Sequence, residues 1–241
     1  MSENKKPHKW RDTAWKKALT NGGRSAIEYF MPDLAADMDL TRELTGTTGV
    51  ELQKSDADSD NDMRVLDVLF DVPLKEGKNG DLALFIEQQH DTDEDFALRM
   101  VETYVRLKEL KRHNLTTGFA IFTGNSPDMG FWFDSCYGFE VSVKYRTFHL
   151  PSRNLEELRK DRRPFAQVML AGRLSLDAGD DPALRERYAW EILNRISEQE
   201  YSLKDQNCIL DFTRRILWLD DAKINPKLRE VYKMKAIKTV P

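Results

Sequence analysis

The sequence predicts an α/β domain, a mixed β-sheet flanked by helices, that passes into a helical C-terminal region. Three observations carry this expectation. The alternation of Met63 to Val72 reads as a half-buried strand, and Leu82 to Gln89 follows as a second strand with almost no polar residue before Glu87. Asp95 to Arg112 carries apolar residues at Phe96, Met100 and Tyr104 and again at Ala97, Val101 and Val105, the i to i+4 spacing of a helix packed on a sheet. From Pro151 onward the strand-forming runs give way to mainly helical ones.

Taken in order, Trp10 to Leu19 predicts a short helix after a polar leader, and Gly22-Gly23 interrupts it before a second helical stretch, Ser25 to Phe30, that meets Pro32. Thr45 to Gln53, with β-branched residues and glycines, suits a first strand or hairpin, and the acidic run Lys54 to Asp62 suits a loop. Pro73 ends the next strand, and Lys75 to Asp81, with Gly77 and Asn79-Gly80, makes the turn of a hairpin whose second arm is Leu82 to Gln89. Thr117 to Thr123 predicts a buried strand, and the aromatic and β-branched stretch Phe131 to Phe148 predicts one or two more. Asp181-Pro182 opens a helix to about Gln199, Ser202 to Leu219 reads as another, and Pro226 starts the last. The expected order is ααβββαββ followed by helices, with a core over residues 1–165 and a helical region over 166–241 packed on it.

A chain of 241 residues with 40% hydrophobic and 32% charged residues can bury a core beneath a charged surface, unlike a disordered or membrane protein. No run approaches the roughly 20 apolar residues that span a bilayer, and the polar, basic start has no apolar segment behind it, so we expect a cytoplasmic chain without a membrane partner. Cys136 and Cys208 lie far apart and read as free thiols of a reducing compartment, packed in the core. A net charge of −4 argues against coating nucleic acid through an overall field, but leaves local contact open. Basic residues gather at Arg11, Lys16, Lys17 and Arg24, at Lys108, Lys111 and Arg112, and at Arg159, Lys160, Arg162 and Arg163, as phosphate contacts or as solvated helix faces.

The chemistry concentrates where one strand carries Asp67 and the next ends in Glu87-Gln88-Gln89. Alternation puts Glu87 and Gln89 on one face with Ala83 and Phe85, and turns Gln88 to the other. Two carboxylates side by side in a half-buried sheet repel and lose hydration, which a divalent cation or a raised pKa relieves. Hard oxygen donors with water in the shell favour magnesium or manganese. The plainer alternative sets Asp67 at a solvated strand edge and lets Glu87 simply end its strand.

Arg64-Val-Leu-Asp67, Leu84-Phe-Ile-Glu87-Gln-Gln89, and Phe96-Ala-Leu-Arg99-Met100 with Tyr104 together resemble the recombination-promoting nuclease and transposase-like family of PD-(D/E)XK proteins. Asp12-Thr-Ala-Trp-Lys16 is similar to that family's opening Asp-x-x-Phe-Lys element, Tyr29-Phe30-Met31-Pro32 to its following helix end, and Arg163-Pro164-Phe165-Ala166 to its Asn-Pro-Phe-Ala segment, so the resemblance covers about residues 8 to 220. Trp15 for Phe and Arg163 for Asn depart from the pattern. The wider superfamily ends its third strand in Glu-x-Lys, whereas this family commonly has Glu-x-Gln, as here with Gln89.

The resemblance implies a restriction-endonuclease-like core and a magnesium-dependent DNA endonuclease, a hydrolase of recombination or mobile-element biology. Asp67 and Glu87 would coordinate Mg²⁺, or Mn²⁺ in its place, with the main-chain carbonyl of Gln88 as a further ligand. Gln89 would orient the attacking water without supplying charge or acting as a base. Asp12 and Glu28 are candidates for an outer acidic ligand, and Lys16 and Arg99 for phosphate contacts, against helix-pairing or surface roles for all four. Because double-strand cleavage needs two sites, a homodimer is the oligomer to test. The alternative from another class is a catalytically silent nucleic-acid-binding or protein-interaction module on the same fold.

Other motifs point elsewhere only superficially. Asp56, Asp58, Asp60 and Asp67 imitate a calcium loop, but Asn61 stands where the sharp turn needs Gly and a strand follows where a helix should. His8, His90, His113 and His149 show no zinc spacing, and His90, next to Gln89, is either a proton carrier at the site's mouth or a plain loop histidine. Nucleotide-binding glycine loops are absent, and Phe131, Trp132, Phe133, Tyr137 and Phe139 suit strand and core packing over base stacking.

Overall fold

The computed structural model describes residues 9–52, 64–78, 80–110, 114–124 and 126–219. The expected acidic loop after Gln53 and the helix expected from Pro226 lie outside the described residues. Helices α1 (Lys9–Asn21), α2 (Gly23–Phe30) and α3 (Pro32–Asp37) come first. Strands β1 (Thr45–Leu52), β2 (Arg64–Val72) and β3 (Leu82–Gln89) follow, then α4 (Phe96–Glu109). Strands β4 (Leu115–Phe122), β5 (Phe131–Cys136), β6 (Phe139–Lys144) and β7 (Arg146–His149) precede helices α5 (Leu155–Lys160), α6 (Pro164–Ala178), α7 (Pro182–Ser197) and α8 (Leu203–Ile216). Two compact units result, one of Phe30–Ser152 and one of Met1–Tyr29 with Arg153–Pro241. Among the described residues no helix is long and apolar enough to cross a membrane.

The unit Phe30–Ser152 is α/β, built on a mixed five-stranded sheet in the order β1-β2-β3-β4-β7. β1, β2 and β3 run antiparallel, while β4 and β7 each run parallel to the strand before them in the sheet. A parallel neighbour needs a crossover, and α4 supplies it between β3 and β4. One sheet face meets α4 through Leu69, Ala83, Phe85, Ala120 and Phe122 against Phe96, Met100 and Leu107. On the other, Phe119 and Phe148 meet Phe30, with ring centroids 4.7 and 5.2 Å apart.

The helix face differs from the expected stripe. Phe96, Ala97 and Met100 are buried, but Thr103, Arg106 and Leu107 are buried in place of Tyr104 and Val105, which are exposed. Steps of three and four residues from Met100 reach Thr103 and Leu107, so the contact stripe follows the helical pitch that way round. Arg106 donates to the Leu52 carbonyl at 3.3 Å, giving the buried cation an acceptor at the end of β1.

Between Phe131 and His149 the chain makes three strands where one or two were expected. Tyr137 and Gly138, at φ 46 and 84°, turn β5 into β6 as a separate two-stranded ribbon, and β7 then joins the sheet edge. The ribbon overturns the core-packing expectation for four of its five aromatics, since Phe131, Phe133, Tyr137 and Phe139 are exposed while Trp132 is half-buried. Cys136, expected in the core, is exposed there too. A ribbon with no second sheet over it has one side facing water whatever its side chains are. The short α3 was also unanticipated; Pro32 starts it at the first helical position.

The other unit is helical. Most positions of α6 are buried, and it lies against α5, α7 and α8, while α1 packs on α8 with Trp15 and Phe212 at 4.6 Å. Asp181 caps α7 by accepting from the Ala183 and Leu184 amides, and Ser202 caps α8 by accepting from Asp205, as Asp-Pro and Ser at those positions predict. Cys208 is buried and donates to the Ala18 carbonyl at 3.4 Å; burial pushes its thiol from 9.0 to about 12.

Candidate functional site

The β2–β3 register runs from Val72↔Leu82 to Val68↔Ile86, and one further step sets Asp67 opposite Glu87. Directly opposite residues share a sheet face, with Cα atoms about 4.5–5.5 Å apart. Two residues inward on that face, Leu69 and Phe85 belong to the core beneath α4, so alternation carries Asp67 and Glu87 to the α4 side. On the other flank the β1–β2 register passes from Thr48↔Val68 to Val50↔Leu66, omitting Gly49 opposite Asp67. Gly49 takes φ 66°, a left-handed conformation that favours glycine, so the pairing lapses for one residue beside Asp67 while the register is kept.

Asp67 thus lies on an interior strand, half-buried, and its Oδ2 accepts the Gln88 main-chain N–H at 2.7 Å. Glu87 is only 5% exposed. Gln88, on the opposite face, is also buried and donates through Nε2 to Thr123 Oγ1 at 2.6 Å. Parallel pairing of β3 with β4 explains this contact, because Gln88↔Ile121 leaves Thr123, the residue after β4, two positions along the same face from the partner of Gln88.

Gln89 has both ends of its amide engaged. Its Oε1 accepts from Arg99 Nη2 at 2.9 Å and its Nε2 donates to the Asp91 carbonyl at 2.6 Å. Arg99, on the first turn of α4, also pairs with Asp93 at 2.7 Å and stands 5.2 Å from the Phe96 ring. His90 sits at the same end of the sheet, its Nδ1 3.4 Å from Thr123 Oγ1, and His149 Nε2 meets the Ser126 carbonyl at 2.9 Å. Gly124 is required by close approach there: a Cβ on it would come within 2.3 Å of the His90 carbonyl oxygen. These residues lie at or beyond the carboxyl ends of the parallel strands β3, β4 and β7, the end where open α/β sheets place ligands.

Of the four outer candidates, Arg99 is tied directly to Gln89. Asp12 pairs with Lys16 at 2.9 Å along α1, and Glu28 with Arg24 at 3.0 Å along α2, contacts of the helical unit. Sequence reading missed Asp91, Asp93, Thr123 and Gly124. The signal for the last two was the strand-helix-strand pattern itself, which puts the ends of β3 and β4 together.

Among the described residues no three His, Cys, Asp or Glu side chains are grouped to hold a metal. A cation here would therefore rest on the Asp67 and Glu87 carboxylates, the Gln88 carbonyl and water. That all-oxygen set fits a hard divalent ion that keeps part of its hydration. The near-complete burial of Glu87 would keep its attraction to such an ion from being screened by water. Comparison with protein-family models, with curated proteins and with solved structures finds no match among any of the three.

Proposed function

We propose that this chain is a magnesium-dependent DNA endonuclease with a PD-(D/E)XK-type core, related to the recombination-promoting nuclease and transposase-like family. The observation that carries the reading is Asp67 reaching across to the Gln88 amide, beside a buried Glu87, at the carboxyl end of a parallel strand. Asp67 and Glu87 would hold the ion, and the Gln88 N–H keeps the Asp67 carboxylate turned toward β3. Bound there, magnesium would lower the pKa of a water and stabilise charge on the phosphate oxygens. Gln89 has no charge of its own, and its amide is fixed by Arg99 and Asp91 in one orientation. Arg99 brings a guanidinium to the place where the wider superfamily has lysine, and Asp93 holds part of its charge until an anionic substrate competes for it.

The test is nicking of supercoiled plasmid with magnesium by the wild-type chain and by Glu87→Gln and Asp67→Asn. Cleavage that disappears in both variants and in chelator supports the reading; cleavage that survives both substitutions overturns the site.

A second reading has its own observation. The β5–β6 ribbon exposes Phe131 at 60%, Phe133 at 51% and Phe139 at 72%, more apolar surface than a nuclease site needs. It favours an interaction module with a silent site. Absence of cleavage together with no magnesium-dependent change in melting temperature would select it.

A further inference from the structure

The helical unit holds a concave site that the nuclease reading does not use. A cavity of about 290 Å³ opens between the end of α5, the start of α6 and the end of α7, and its lining includes Arg159, Lys160, Arg162, Arg195, Gln167 and Glu198. Four of those six side chains are cationic and one is anionic, in a chain whose net charge is −4. Such a concentration of one sign inside a concavity focuses the local field on anions.

The cations are not equivalent. Arg159 is already spoken for: it binds Glu191 at 2.7 and 3.1 Å and Glu156 at 2.7 Å, and those carboxylates hold its pKa above its ordinary value. Arg195 is held in a different way. Its Nε donates to Gln167 Oε1 at 2.7 Å and its Nη2 to the Arg159 carbonyl, both neutral acceptors, so its orientation is fixed while its charge is not neutralised. Gln167 is fully buried and itself pinned, donating to the Asp161 carbonyl at 2.7 Å. Lys160 and Arg162 are exposed at the rim, with no ion-pair partner among the described residues. Arg162 is anchored only through its main chain, whose carbonyl accepts from the Tyr201 hydroxyl at 2.8 Å. Three cations without a carboxylate partner therefore face one acid, Glu198.

We infer that this cavity is a binding site for a phosphomonoester dianion, gripped by Arg195 from the wall and by Lys160 and Arg162 from the rim. A guanidinium fork fixed in advance matches tetrahedral oxyanions, and its ordering cost is met in the fold and not on binding. The size decides between kinds of phosphate. A cavity of about 290 Å³ takes a terminal phosphate with part of its nucleoside, whereas a continuous backbone would have to pass over it. Two sources present that chemistry, a free mononucleotide and the 5′-phosphorylated end of a nucleic-acid strand. The site is independent of Asp67 and Glu87, so it stands or falls apart from the nuclease reading.

The experiment is calorimetric titration of the full chain, in chelator and low salt, with deoxyadenosine monophosphate, deoxyadenosine, and one single-stranded oligonucleotide carrying either a 5′-phosphate or a 5′-hydroxyl. The nucleotide is expected to bind and the nucleoside not, and Lys160→Ala/Arg162→Ala is expected to weaken binding about tenfold or more. Both substituted side chains lie at the rim, so an unchanged circular dichroism melt confirms that the variant is folded. Gln167→Leu, which removes one of the two acceptors of Arg195, should weaken the nucleotide as well, while Arg11→Ala on α1 should not. Tighter binding of the 5′-phosphorylated strand than of the 5′-hydroxyl strand identifies a strand end as the source; binding of the mononucleotide alone identifies the free nucleotide. Equal binding of both strands, affinity unchanged in the double variant, or no heat at millimolar nucleotide would overturn the assignment.

Discussion

Asp67→Asn separates two effects that oppose each other at the candidate site. Asparagine keeps an oxygen for the Gln88 N–H now bonded at 2.7 Å, so the change turns a charge-assisted hydrogen bond into a neutral one, a loss of about 1 kcal/mol. Against that, it removes one of two carboxylates carried by opposite strand residues, and two charges about 5 Å apart repel by at most about 3 kcal/mol at an effective dielectric near 20. Without metal the repulsion wins, and the variant should be more stable by up to about 2 kcal/mol, roughly 4–8 °C in melting temperature for a chain of this size. Magnesium at ten times its dissociation constant would stabilise the wild type by about 1.4 kcal/mol and the variant hardly at all, so the gap should narrow by roughly 3–6 °C. Thermal unfolding in chelator and in magnesium reads both numbers. A variant that melts below the wild type in chelator would show that the two carboxylates do not repel there, and a magnesium shift equal in both proteins would show that they do not share an ion.

Four further outcomes follow from particular contacts. Arg99→Ala should leave the fold intact but free the Gln89 amide, cutting any plasmid nicking about tenfold or more, with Arg99→Lys recovering part of it; nicking unchanged in Arg99→Ala removes the residue from the site. Gly124→Ala drives a methyl against the His90 carbonyl at 2.3 Å and should cost about 1–3 kcal/mol by denaturant titration. A thiol reagent at pH 8 should label the exposed Cys136 at once and Cys208 only after unfolding; because burial raises the Cys208 thiol from 9.0 to about 12, the stability it contributes is complete below pH 9 and is lost as pH climbs toward 12, a slope that Cys208→Ala should reduce. Phe131→Ser with Phe133→Ser should shift the melting temperature by about 1 °C or less, since both rings are already in water, and sedimentation should report whether they hold two copies together.

The elements that were legible in the sequence are those whose signal is local. The run Leu82 to Gln89 forms β3 with those bounds, and Asp181-Pro182 and Ser202 mark the starts of α7 and α8, because alternation and capping act over a few neighbouring residues. What escaped was decided at a distance. Nothing in Phe131 to Phe139 says that β5 and β6 form their own ribbon and not two more sheet strands, so their exposure could not be read from their hydrophobicity. The stripe on α4 was ambiguous for a related reason. Phe96, Met100 and Tyr104 fit a helical face as well as Phe96, Met100, Thr103 and Leu107 do, and the choice belongs to the strands beneath. At the site, Asp67, Glu87 and Gln89 stand out by residue type, whereas Thr123 and Gly124 acquire a role only through parallel pairing of β3 and β4.

The arrangement around Gln89 bears on why an amide can stand there at all. A lysine at that position would bring its own charge on a flexible stem; an amide must be held at both ends to present one orientation, and here Arg99 and the Asp91 carbonyl hold it. The charge then arrives from α4, and α4 is itself fixed by the core that continues from the site along the same sheet face, through Phe85, Phe96 and Phe122, the last two with ring centroids 5.2 Å apart. Phe96 also lies beneath the Arg99 guanidinium at 5.2 Å, so one aromatic both seals the core and supports the cation. Electrostatics at the sheet end and packing beneath it thus depend on the same helix turn. A change in either should be felt in the other, which makes Phe96 the residue through which the stability of this unit and the geometry of its polar site are joined.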